Sequence, residues 1–207
     1  MINQTLTPPL TAEALPSDAD PDLFAENDGY LNCNPRDIAF HNLVAEDFRT
    51  HGSDAFSQGF WVLFWHRFGN RIRDIRFRPA RMPLTLTYKI GNKLSEWMAG
   101  VMLPYTVRVG RRVRLEHFGG MILIAQSIGN DVTIRQNTTF GIARTDRPFD
   151  RPVIADGVDI GTGAVIIGRV WVGEGAVIGA NAVVTRHVPP HAVMAGVPAR
   201  RIDVEAP

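Results

Sequence analysis

The sequence predicts a mainly β protein, a solenoid of short parallel strands preceded by an α-helical region. Three observations predict it. An aliphatic residue returns at every sixth position from Ile154 onward, small or β-branched residues accompany it at a fixed offset, and helical spacing is confined to the residues before about 100.

The 207 residues, 45% hydrophobic, suffice for one folded body. Lys and Arg number 22 against 21 Asp and Glu, a net charge of +1, which argues against a nucleic-acid footprint or a polybasic membrane anchor. The single cysteine, Cys33, excludes an intrachain disulfide and a cysteine-rich zinc site. It fits a reducing, cytoplasmic setting. The N-terminus lacks the basic start and apolar run of a secretory signal, and the most apolar stretch, 60–65, is far short of a membrane span.

Residues 1–34, rich in Pro, Asp, Ala and Thr, are expected to form a flexible N-terminal arm; ordering against a neighbouring subunit is the alternative. Residues 35–103 form the α-helical region. Ile38, Leu43, Val44 and Phe48 share one helical stripe, with Asp37 near its start, where the helix dipole favours negative charge. A second helix is expected over 60–72 and a third over 84–98. The cluster Phe60, Trp61, Phe64, Trp65 and Phe68 reads as core or subunit contact rather than a ligand box.

The solenoid is expected over 104–202, with a loop at 143–152 and a tail at 203–207. Ile154, Ile160, Ile166, Val172, Ile178 and Val184 form the aliphatic column, a run that chance gives in about 1% of frames at this composition. Four residues after each comes Val158, Ala164, Val170, Ala176, Ala182 or Val188. Carried backward, with one extra residue after Met121 and a longer insertion after Phe140, the frame recovers Val109, Leu115, Met121, Ile128, Ile134 and Phe140. Each hexad is then a short strand with one large side chain inward, three hexads make a triangular coil, and stacked coils share a continuous core.

Three segments carry a resemblance: LEHFGG around His117, SIGNDVTIRQNTTFG from Ser127, and VPPHAVMAGVPAR at the end of the solenoid. Together they resemble the hexapeptide-repeat acyltransferases, in their serine O-acetyltransferase-like branch. The resemblance implies a left-handed parallel β-helix and an acetyl-CoA-dependent O-acetyltransferase. His117 would be the general base, since histidine titrates near neutral pH. The acceptor would be a hydroxyl of a small amino acid or of a sugar or polysaccharide precursor.

By coils, the position of His117 recurs at Gln136, Thr162 and Ala180. The resemblance implies acetyl-CoA along such an edge between two subunits, with Gly141, Ala143, Thr162 and Ala180 beside the pantetheine arm and Arg200, with Arg201, near the phosphates. Glu116, Arg147 and Arg151 are the candidate acceptor-binding residues, the latter two in the charged loop 143–152 with Arg144. Backbone N–H groups after Phe140 are candidates to hold the oxyanion. His66 and His191 are read as structural. No metal is expected: the three histidines of a zinc carbonic anhydrase of this fold are absent from the regular coils before His187.

Besides Glu116, a longer acid in place of the aspartate just before the catalytic histidine, two departures from the serine-specific pattern stand out. Where that pattern carries an aspartate fifteen residues before the catalytic histidine, this chain has Met102, and where it carries a second histidine in the loop, this chain has Arg151. Both put L-serine in doubt as acceptor. An amino-sugar N-acetyltransferase and a catalytically impaired trimeric scaffold are the alternatives. A homotrimer is expected, with a dimer of trimers as the extended form. A complex with cysteine synthase is not expected, because the chain ends in EAP rather than in isoleucine.

Overall fold

The computed structural model describes Phe24 and residues 31–117 and 119–202. Most of the expected arm, the tail 203–207 and Phe118 lie outside the described residues.

Among the described residues three α-helices precede the strands: α1 (Phe40–Thr50), α2 (Gln58–Arg71) and α3 (Arg78–Ala99), with a 3₁₀ turn at Ile72–Asp74. Ser57 caps α2, its hydroxyl accepting from the Phe60 N–H. Asp37 and Ile38 precede α1 rather than opening it, and Asp37 instead pairs with Arg111 at 2.7 Å. The third helix starts six residues earlier than its periodicity suggests. Pro79 sits in its first turn, where the missing N–H costs nothing, and the helix tolerates Pro83 within.

Helices α2 and α3 pack through glycine notches. A Cβ on Gly69 would fall 2.5 Å from the Tyr88 ring, and one on Gly91 would overlap the Trp65 ring. Among the described helices, none is long and apolar enough to cross a membrane. Along α3, Met82, Leu86, Ile90, Leu94, Trp97 and Met98 remain exposed in the single chain.

From Val101 the chain forms fifteen short strands, β1 (Val101–Met102), β2 (Arg108–Val109), β3 (Arg114–Glu116), β4 (Met121–Leu123), β5 (Ser127–Ile128), β6 (Thr133–Arg135), β7 (Thr139–Gly141), β8 (Val153–Ile154), β9 (Asp159–Ile160), β10 (Val165–Ile167), β11 (Trp171–Val172), β12 (Val177–Ile178), β13 (Val183–Val184), β14 (Val193–Ala195) and β15 (Arg200–Arg201). They form three sheets, ordered β1-β4-β7-β10-β13, β11-β8-β5-β2 and β15-β14-β12-β9-β6-β3. Up to β13 every third strand is a neighbour, β14 then pairs with β12, and apart from the antiparallel β14–β15 pair the pairings are parallel, so the chain winds as a solenoid.

The aliphatic column is the core. Ile134, Phe140, Ile160, Ile166, Val172 and Ile178 are buried, and so is the companion column Val158, Ala164, Val170, Ala176, Ala182 and Val188. One correction concerns Met121. Leu123, not Met121, registers with the inward Phe140, and Met121 takes the companion position two places before it. The extra residues therefore precede Met121. Between Leu115 and Ile122 lie two more residues than between their partners Ile134 and Thr139. They fall in the corner that carries His117.

The first coil exposes strand edges at β2 and β3, and the helices cover them with side chains. Buried Arg67 donates to the carbonyls of Val109 and Gly110, both at 2.6 Å. His66 Nε2 donates to the Val107 carbonyl at 3.0 Å, and the Asn70 amide donates to that of Tyr105 at 3.0 Å. Arg67 is itself held by Asp47 at 3.0 Å, both side chains being 0% exposed. Buried backbone acceptors are thus satisfied where no further coil exists to pair them.

Candidate active site

The strand β3 ends at Glu116, and the chain then leaves the regular coil. His117 adopts a left-handed backbone conformation, φ +63°, followed by Gly119 at +106° and Gly120 at +65°. Such angles disfavour residues with a Cβ, which explains the glycine pair in LEHFGG. The far side of the corner is tied to the end of α3. The Gly119 N–H donates to the Ala99 carbonyl at 2.8 Å and the Met121 N–H to that of Gly100 at 3.0 Å. The Asn137 N–H in turn donates to the Gly119 carbonyl at 3.1 Å. A side chain at Gly120 would meet the Asn137 carboxamide oxygen at 2.5 Å.

His117 is exposed, and among the described residues its ring has no hydrogen-bond partner. An exposed imidazole beside a rigid corner can accept a proton from a hydroxyl brought to it. Glu116 is not free. Its carboxylate lies 3.2 Å from Arg114 and 3.2 Å from Arg135, and Arg135 continues the chain of charges to Asp159.

The register of β3, β6, β9 and β12 puts Gln136, Thr162 and Ala180 on successive coils at the corner position of His117. At about 4.8 Å per coil the edge from His117 to Ala180 runs about 14 Å. Gln136 brings a buried side-chain oxygen with no described partner. Arg200 lies beyond, exposed in β15 and paired with Ala195.

Gly141 and Ala143 are not on this edge. Gly141 closes β7, registered with Ile167, and the chain leaves sheet β1-β4-β7-β10-β13 there, at the opposite end of its strands from His117. They begin the loop as expected, but within one chain they do not stand beside Thr162 and Ala180. The reason is topological: one strand separates the two corners.

In the loop, Arg144 forms a double hydrogen bond with Asp146 at 3.0 Å, Arg147 lies 3.8 Å from Asp150, and Arg151 donates to the Pro148 carbonyl at 3.1 Å. Each arginine therefore has a partner within the loop. Met102 is exposed in β1, registered with Ile122. Sequence reasoning missed Arg135 and His51, whose places depend on residues 19 and 64 positions away. Among the described residues no group of His, Cys, Asp and Glu gathers to hold a metal ion.

No family model matches the chain. Over 94 residues it is 45% identical to the serine acetyltransferase of Escherichia coli K12, covering 45% of this chain and 34% of the relative. It is 34% identical over 113 residues to that of Bacillus pumilus, covering 54% and 52%, and 37% identical over 111 residues to that of Mycobacterium tuberculosis, covering 53% and 48%. The chain thus spans between a third and about half of the length of these curated relatives. Among solved structures, serine acetyltransferase from Vibrio cholerae superposes with a TM-score of 0.64 at 28% identity, covering 78% of this chain and 65% of the other. Soybean serine acetyltransferase complexed with serine gives 0.64 at 28%, covering 79% and 69%, and a serine acetyltransferase complex with CoA gives 0.61 at 29%, covering 79% and 69%.

The solenoid is therefore a left-handed parallel β-helix, the fold of the serine acetyltransferases on which it superposes. The relatives it resembles in both sequence and structure are serine acetyltransferases, a hexapeptide-repeat acyltransferase family.

Proposed function

We propose that the protein is an acetyl-CoA-dependent O-acetyltransferase, acting on a hydroxyl of a small amino acid or of a sugar precursor. The observation that carries this reading is the His117 corner: two residues inserted into an otherwise regular coil hold an exposed imidazole on a strained, glycine-supported turn. The serine acetyltransferase relatives support the reaction class. The CoA complex of a structural relative supports the donor.

In this mechanism His117 takes the proton of the acceptor hydroxyl as its oxygen attacks the thioester carbonyl. The tetrahedral oxyanion is met by backbone N–H groups after Phe140. Collapse breaks the carbon–sulfur bond, and the imidazolium returns the proton to the departing thiolate of CoA. The column Thr162 and Ala180 leaves room for the pantetheine arm, and Arg200 stands toward the phosphates. Glu116, Arg147 and Arg151 are assigned to the acceptor.

We further propose a homotrimer. The His117 edge is an open wall in one chain, while Gly141 and Ala143 lie on another edge; a neighbouring copy that presents the second edge closes a cleft containing both. Light scattering at micromolar concentration tests this, and a clean monomer opposes it. The activity is tested by following CoA release from acetyl-CoA with L-serine and with free and nucleotide-linked sugars. The amino-sugar and scaffold alternatives draw no support from the relatives.

A further inference from the structure

Strand β3 is the outermost strand of its sheet, so the backbone on its free side has no strand to pair with. Leu115, two residues before His117, nevertheless has its N–H satisfied: it donates to His51 Nε2 at 3.2 Å. The other ring nitrogen, Nδ1, lies 2.7 Å from the Asp47 carbonyl, which can only accept. The two bonds together fix the tautomer, with the proton on Nδ1 and the lone pair on Nε2 facing Leu115.

The fit is close. A Cβ on Gly59 in α2 would fall 2.5 Å from the Leu115 carbonyl and 2.8 Å from His51 Nε2. Only glycine allows the helix backbone to approach the strand edge this far. Asp47 serves both contacts, its carbonyl accepting from His51 and its carboxylate holding Arg67, which reaches the neighbouring edge strand at Val109 and Gly110.

We propose that His51 is a positioning residue for His117. It anchors β3 at Leu115, upstream of the corner, while the Ala99 and Gly100 carbonyls anchor the corner downstream at Gly119 and Met121. The imidazole of His117 leaves the chain between two fixed points. With His51 replaced, the upstream point is released and the base moves relative to the hydroxyl, where a displacement near 1 Å costs about 100-fold in rate. The inference rests on the role given to His117.

The test uses the full chain and three variants. In His51→Gln the side-chain oxygen reaches the place of Nε2 and still accepts from Leu115. In His51→Asn the amide reaches only the place of Nδ1, and in His51→Phe both bonds are lost while the volume remains. With acetyl-CoA and the best acceptor, kcat is expected to fall about 10-fold or more in the Asn and Phe variants. It should recover to within about 3-fold of the parent in the Gln variant, with the acetyl-CoA KM changed less than about 2-fold throughout. Equal kcat per folded molecule across the series, whatever the melting temperatures, overturns the proposal. If His117→Ala is as active as the parent, the reading of His117 fails instead, so the two failures are distinguishable. Should the variants not fold, hydrogen exchange of the Leu115 amide in the parent decides: protection supports the anchor, and exchange at the rate of an open amide overturns it.

Discussion

The carboxylate of Glu116 lies 3.2 Å from the guanidinium of Arg135, its register partner on the next coil, and 3.2 Å from Arg114 on its own strand. An acid shared by two arginines is held in place beside His117, but only part of its charge remains for an acceptor. Glu116→Gln is expected to raise the acceptor KM about 5-fold or more and to leave that for acetyl-CoA unchanged. Because the pairs are partly solvated, the fold should lose no more than about 1 kcal/mol. Steady-state kinetics with each substrate varied in turn checks this; an unchanged acceptor KM removes Glu116 from the binding set.

The loop arginines form a second test. Arg144, Arg147 and Arg151 are partnered inside the loop, yet the first two are largely exposed and their bonds to Asp146 and Asp150 can be exchanged for those to an acidic acceptor. Replacing all three by Gln is expected to raise the acceptor KM and spare that for acetyl-CoA. L-Serine should be a poor acceptor for the parent protein, since Met102 and Arg151 replace an aspartate and a histidine of the serine-specific pattern. Turnover of L-serine near that of the best acceptor contradicts this.

Arg67 is the buried link between the helices and the first coil. Arg67→Met strands the Asp47 carboxylate and removes the donors to Val109 and Gly110. Loss of one partner from a buried pair costs about 3–5 kcal/mol. Urea unfolding at fixed protein concentration should show a loss of that size, and one below about 1 kcal/mol would mean that the link does not hold the fold.

Acid should loosen the same region. Burial, with Arg67 beside it, pushes the His66 imidazole down to about 3, and burial also lowers His51. An unfolded histidine takes its proton near pH 6.5, so between about pH 6.5 and 3 the unfolded chain binds more protons than the folded one. Stability therefore falls as pH drops through that window, by about 1.4 kcal/mol per pH unit from His66 alone. Melting temperatures at pH 7, 6 and 5 should decline, and a flat profile would contradict the burial of a neutral His66.

The column of inward residues was legible because each strand commits one large side chain to the core, and period six survives even when strands are two residues long. The frame slipped at Met121 for a physical reason. Met121 and Leu123 are both apolar and both buried, so either satisfies the period, and the glycines of HFGG look like an ordinary corner. The His117 corner could be recognised from its motif. His51, Asp47 and Arg67 could not, because their value lies in capping strand edges 42 to 64 residues away, and no local pattern marks a side chain that replaces a missing strand. The placement of Gly141 and Thr162 on different corners follows from the same six-residue count, since Thr162 shares the corner of Gln136 and Gly141 lies one strand further on.

The role of His117 is tested most directly by CoA release from acetyl-CoA, with the best acceptor at saturation, in the parent and in His117→Ala, alongside acetyl-CoA binding measured by calorimetry. The expected result is a fall in kcat of about 100-fold or more with acetyl-CoA affinity changed less than about 2-fold, the signature of a lost general base. Undiminished turnover in His117→Ala would contradict it.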